Sequence, residues 1–254
     1  MLIVGLLVTL GFVDRQQNDL PCKSLDININ QDENFFVDNE EIKQIIHDRG
    51  DSIIHQPIST ININKLEYVL NSHPSISKAE VFITVDGKLK VDIIQRKPII
   101  RIINNNNESY YIDDAGRLMP LSEKYTSKIL VVNGNIFEPY SIEYRNTISD
   151  ILKNPEMKNL TMLDDIYILA KYIDSLDFWK AQIQQVYIND EHEFELIPRV
   201  GDHKIILGDI LDIDKKFKKL MIFYKQGLNY TNKWNTYSVI NLKFKNQIVC
   251  TKKE

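Results

Sequence analysis

The stretch AEVFITVDGKLKVDIIQRKP, Ala79 to Pro98, decides how the first half of this chain folds. Two runs of alternating apolar and polar residues flank Asp86-Gly87, the signature of two strands joined by a tight turn. The register follows from which side chains would meet. A two-residue turn sets Ile83 against Lys90 and Val81 against Asp92, apolar against charged. A three-residue turn, Asp86-Gly87-Lys88, sets Val85 opposite Leu89, Ile83 opposite Val91 and Val81 opposite Ile93. All six then share one face. Because a slip of one residue turns every side chain to the other face, the longer turn is expected.

Upstream of the hairpin, LDININ (Leu25 to Asn30) alternates and reads as a strand. Asp38 followed by Glu41 forms a capping box, and Ile42, Ile45 and Ile46 make a helical stripe that stops at Gly50. A second helix repeats the plan, with Asn64 as cap, Glu67 completing the box, Leu66, Val69 and Leu70 inward, and Pro74 as stop. The order is strand, helix, helix, strand, strand, with both helices on one face of a small sheet. This unit is placed at residues 24–103 and closes on QRKPIIRI, Gln95 to Ile102.

NNNNE, Asn104 to Glu108, is a polar break, and a second unit is placed at 108–250. SYYIDDAGRLMPLS reads as two short strands about Asp114-Ala115-Gly116, and KILVVNGNI as a buried strand. Residues 141–160 read as irregular or weakly helical. TMLDDIYILAKYIDSLDFW, Thr161 to Trp179, reads as one helix, with Ile166, Leu169, Ala170 and Ile173 inward. Three strands follow it, then an amphipathic helix with Phe217, Leu220, Met221 and Tyr224 inward and lysines outward. The chain closes on SVINLKFKNQIVC, Ser238 to Cys250, read as one strand. Ile240, Leu242, Phe244, Ile248 and Cys250 line one side; Asn241, Lys243, Lys245 and Gln247 mostly line the other. Alternation alone leaves Phe244 open between core and contact, and leaves the strand open between edge and interior. The fold class is α+β, with a mixed or antiparallel sheet and two helices in the second unit.

The chain has 254 residues, 43% hydrophobic and 26% charged, with a net charge of −4. That composition suits one large or two small domains and gives no sign of a nucleic-acid partner. Residues 1–13, MLIVGLLVTLGFV, carry no charge. They are short of the ~20 apolar residues of a full span and lack the flanks of a cleaved leader. They read as a membrane anchor shortened at its start, the alternative being a buried terminal element. Cys22 and Cys250, at opposite ends, make no disulfide framework.

Catalytic chemistry is missing from the sequence. His47, His55, His73, His192 and His203 have no metal spacing and read as scattered surface residues. Asp113-Asp114 and Asp164-Asp165 read as a turn aspartate and a helix cap rather than paired acids, because neighbours on a strand point to opposite faces. No phosphate loop, dinucleotide fingerprint or nucleophile elbow occurs. The chain is therefore expected to be no enzyme, with no cofactor, no metal, no nucleic acid and no small-molecule substrate.

Taken in order, these pieces resemble the FtsQ/DivIB cell-division proteins. The first unit, closing on QRKPIIRI, is similar to their POTRA domain, and YYIDDAGRLMPLS to the opening hairpin of their β-domain. LGDILDIDKKFKKLMIFY and INLKFKN are similar to their C-terminal helix and last strand, with Asn241 in place of the usual Asp and Lys243-Phe244 in place of Arg-Tyr. The resemblance implies a single-pass inner-membrane protein with its bulk in the periplasm, at the division septum. It implies a non-catalytic divisome scaffold linking early and late division proteins. Its partners would be FtsB/DivIC and FtsL-type coiled-coil proteins and, through them, the FtsW–FtsI peptidoglycan synthase. The docking residues it implies are Lys243, Phe244, Lys245, Asn246, Gln247 and Ile248 on the last strand. The alternative is another single-POTRA envelope-assembly protein or an extracytoplasmic binding protein.

Overall fold

The computed structural model describes residues 20–30, 35–49, 53–140, 147, 148, 150 and 161–253. The apolar segment 1–13, the stop at Gly50 and most of 141–160 lie outside the described residues. Among the described residues no helix is long and apolar enough to cross a membrane. The chain divides into two compact units, Met1–Arg96 with Ser122–Tyr125, and Lys97–Leu121 with Thr126–Glu254.

In the first unit, β1 (Ser24–Asn30), α1 (Asn39–Arg49), α2 (Ile63–Asn71), β2 (Ile76–Ile83) and β3 (Lys88–Gln95) occur in the expected order. The sheet runs β1-β3-β2, with β1 parallel and β2 antiparallel to β3. Ile42 and Ile46 of α1 and Leu66 and Leu70 of α2 pack on Ala79, Val81, Leu89, Val91 and Ile93 of the sheet. Asp38 caps α1 as expected, its carboxylate accepting the Glu41 N–H at 2.9 Å. Lys124 adds a second clasp at this helix end, 2.8 Å from both Asp38 and Glu41.

Two readings in this unit are corrected. The hairpin pairs Val81 with Val91 and Ile83 with Leu89, so its three-residue turn is Val85-Asp86-Gly87. The register moves by two residues, which preserves the buried face. Gly87 adopts φ 85°, a left-handed conformation that only glycine takes without strain, and that fixes where the turn closes. Val85 is left 85% exposed at the tip. The cap of α2 is Asn62, which accepts the Lys65 N–H at 3.0 Å, rather than Asn64. Glu67 is used elsewhere: it accepts the Val81 N–H on the outer side of β2 at 2.8 Å. Asn71 bonds both the N–H and the C=O of Ala79 there, at 2.9 and 3.1 Å. Side chains of α2 thus occupy backbone groups on the outer edge of β2.

The second unit holds one nine-stranded sheet in the order β12-β11-β10-β9-β8-β7-β4-β5-β6. Its strands are β4 (Pro98–Ile103), β5 (Ser109–Asp113), β6 (Leu118–Met119), β7 (Leu130–Gly134), β8 (Ile183–Ile188), β9 (Phe194–Pro198), β10 (Lys204–Gly208), β11 (Tyr237–Asn241) and β12 (Val249–Lys252). Pro98–Ile103, read above as the close of the first unit, pairs with β5 and β7 and belongs to this sheet. The helix expected over Thr161–Trp179 is broken in two, so among the described residues this unit holds three α-helices rather than the two expected: α3 (Met162–Asp174), α4 (Asp177–Gln182) and α5 (Ile213–Ile222), which pack through Ile166, Leu169, Ile173, Trp179, Phe217 and Leu220 onto the sheet core. Asp113 is the turn aspartate expected, accepting from the Ala115 and Arg117 N–H groups. Asp164 is buried in the first turn of α3, whose cap position is Thr161.

The closing segment departs most from expectation. Ser238–Cys250 is not one strand but parts of two. β11 runs parallel to β10, then β12 returns antiparallel to β11, with Ile240 opposite Cys250. Leu242 ends the outward run, buried, its N–H donated to the Ile206 carbonyl. Asn241 then accepts the Lys243 N–H at 2.9 Å, turning the chain off the sheet.

Candidate docking site at the C-terminal hairpin

The site is built from β10, α5, β11, the 242–248 connection and β12. Helix α5 buries Phe217 and Leu220 and carries four lysines, read above as a solvated face. Three of them are engaged instead, Lys215 by Asp212 at 2.7 Å. Lys216 is held by the Asp209 carboxylate and carbonyl. Lys219 donates to the carbonyls of Leu242, Phe244 and Gln247, gathering three oxygens of the connection around one ammonium. Partial burial, with the Lys216 charge nearby, holds Lys219 below the ordinary lysine range. A bond from a charged donor contributes about 1.5–3 kcal/mol, so this lysine largely sets the shape of the connection.

The six residues expected to dock a partner all fall in or at the end of this connection rather than on a strand. Lys243, Lys245, Asn246 and Gln247 are exposed, and Phe244 is 45% exposed, which settles it as surface rather than core. Ile248 turns partly inward against the sheet core. Lys243 pairs with Glu193, which raises its pKa, and its stem lies against Gly208. A Cβ on Gly208 would sit 2.9 Å from Lys243 Cγ, so glycine is needed for that approach.

Beside the connection lies a concavity of about 340 Å³, lined by Asp209, Asp212, Lys215, Lys216, Lys243 and Phe244 among others. Its ions are largely paired, Lys215 with Asp212 and Lys216 with Asp209. It offers a charged, semi-apolar rim and no nucleophile–base pair. Among the described residues no group of three His, Cys, Asp or Glu side chains could hold a metal.

Behind the hairpin, His203 is 3% exposed and not the surface residue its spacing suggested. Its Nε2 lies 2.9 Å from the Tyr224 hydroxyl, and its ring stacks on Trp234 just before β11. The same turn holds the chain end, Lys253 pairing with Asp202 at 2.9 Å. Tyr224 stands in a π-helical turn, Phe223–Asn229, that extends α5.

Sequence reasoning missed β12 and Lys219. Val249-Cys250-Thr251 is β-branched enough to be a strand of its own, but the period-two run through Asn246-Gln247 hid the turn. Nothing in the α5 pattern distinguishes Lys219 from its neighbours.

A search of curated proteins finds no match to this chain. Family models do match. Residues 20–94 fit a POTRA-like domain model. Residues 97–251, more than half of the chain, fit the model described as FtsQ/DivIB, C-terminal related, and the chain therefore belongs to the FtsQ/DivIB-related cell-division family.

Proposed function

We propose that this protein is a non-catalytic divisome scaffold that takes up a partner strand at β12. It would stand at the septum as a single-pass inner-membrane protein, with its bulk in the periplasm. Membership of a cell-division family supports the scaffold role. The observation that carries the docking reading is the place of β12 at the end of the nine-strand order, with no strand beyond it among the described residues. An open edge presents unpaired N–H and C=O groups, and strand addition satisfies them with main-chain bonds while nearby side chains select the partner.

The proposed docking residues become Val249, Thr251 and Lys252 of β12 together with Lys243, Phe244, Lys245, Asn246, Gln247 and Ile248 of the connection. Lys245 and Lys252 favour a strand with acidic flanks. The partners in this reading are FtsB/DivIC and FtsL-type proteins, through which the scaffold reaches the FtsW–FtsI synthase.

The test is site-specific photocrosslinking in cells from Val249, Thr251, Lys252 and Lys245, with Glu80 on the sealed β2 strand as control. Adducts to a small coiled-coil membrane protein from the first four positions alone support the reading. No adduct along β12, or the same adduct from Glu80, rejects it.

A further inference from the structure

A second concavity lies in the middle of the large sheet. The first residues of the parallel strands β4, β7 and β8 converge there with the end of β9 and the C-terminal half of α3. They enclose a cavity of about 290 Å³. Strands β10 and β11 separate even its nearest wall, β9, from β12. Its floor is apolar, made by Ile99, Leu130, Ile173 and Ile183. Its rim carries Lys128, Lys180, Arg199 and Asp174.

The rim charges do not cancel. Lys180 is held by Asp174 at 2.7 Å. Among the described residues, Lys128 and Arg199 have no carboxylate within ion-pairing distance, although both border the cavity. Arg199 is also fixed at its backbone, where its N–H donates to the Gln182 carbonyl at 2.6 Å. Two unpaired cations over an apolar floor suit an occupant with an apolar group next to a negative charge.

We propose that this cavity anchors an acidic peptide segment of a partner protein. One apolar side chain enters between α3 and the strand ends, and flanking carboxylates meet Lys128 and Arg199. The volume favours a peptide over a lipid. The cavity has room for one side chain at the centre of a contact but cannot enclose the tails of a diacyl lipid. The guanidinium of Arg199 can take a carboxylate through two parallel bonds, which adds direction to the attraction. This contact is independent of strand addition at β12, and the two can be occupied together.

The test begins with random heptapeptides displayed on phage, selected on the full chain and counter-selected on the K128E/R199E variant. Both side chains are exposed, so the variant should keep its fold, which circular dichroism checks. The expected result is enrichment of Leu, Ile, Met or Phe beside Asp or Glu. A synthetic peptide of the enriched sequence should bind the wild type and lose at least about tenfold in affinity on K128E/R199E. It should lose a similar factor when its apolar residue becomes Ala. The neutral K128A/R199A variant should fall between. No enrichment, an enriched motif without acid, or equal binding to both proteins overturns the proposal. So does binding of phosphatidylglycerol vesicles that is lost in K128E/R199E where no peptide competes, since the site would then be a lipid headgroup site.

Discussion

At the scale of single residues, His203 and Lys219 do what no motif announces. Burial holds the His203 imidazole below its ordinary value of 6.5, Asp202 opposes that shift and Lys253 adds to it. The unfolded chain therefore takes up a proton at higher pH than the folded one. The stability that depends on neutral His203 is complete above about 6.5 and is lost as pH falls from there toward the folded value. Urea midpoints measured at pH 7.5 and 5.5 should fall with pH in the wild type and fall less in His203→Gln. An unchanged slope in the variant would place the titration elsewhere. Lys219→Met removes the ammonium shared by three carbonyls and should cost about 1–3 kcal/mol. Hydrogen exchange should then quicken at 242–247 while the β8–β9 pair stays protected.

At the scale of elements, the sheet ends are managed differently. The outer edge of β2 is occupied by Asn71 and Glu67, whereas β12 has no strand on its outer side among the described residues. Replacing both residues by Ala leaves partly buried N–H and C=O groups without partners. The double variant should lose about 2–4 kcal/mol and gain a tendency to self-associate, read by urea unfolding and light scattering. Gly134 is a sharper case. At φ 106°, a Cβ there would lie 2.2 Å from the Ile188 carbonyl oxygen of the paired strand. Gly134→Ala should cost at least about 3 kcal/mol, or prevent folding, by the same unfolding assay.

These elements also mark how far the residues speak for themselves. The α1 cap at Asp38, the stripes of Ile42, Ile46, Leu66 and Leu70, and the buried face of the β2–β3 hairpin follow from spacing, because each depends on neighbours in the chain. The assignment of Pro98–Ile103 to the large sheet does not, because its partners β5 and β7 are chosen by packing over distance. The break of the last strand hinges on Leu242 plugging under Ile206 and on Lys219 collecting carbonyls from another element. Alternation passes smoothly across that point, so the residues expected on one strand fall instead on an exposed connection between two.

At the scale of the whole molecule, two units with separate cores share one chain. Deleting residues 249–254 removes β12 and the Lys253–Asp202 pair and bares the far side of β11. Partner crosslinking should vanish. Amide resonances of β1–β3 should remain where they are in the full chain, since none of the deleted residues belongs to that core. Partner capture that persists at wild-type affinity would move the docking function away from the hairpin.

An edge differs from a patch in one respect: it has room for a single occupant. The far end of the large sheet is closed down to the two-residue strand β6, so β12 is the end that offers length. On the reading proposed above, strand addition there places one segment per copy against this chain, and any further strand would pair with the partner rather than with β12. Complexes formed this way would have a fixed ratio that does not drift with concentration, and the number of scaffold copies at a septum would count the partner strands presented to them.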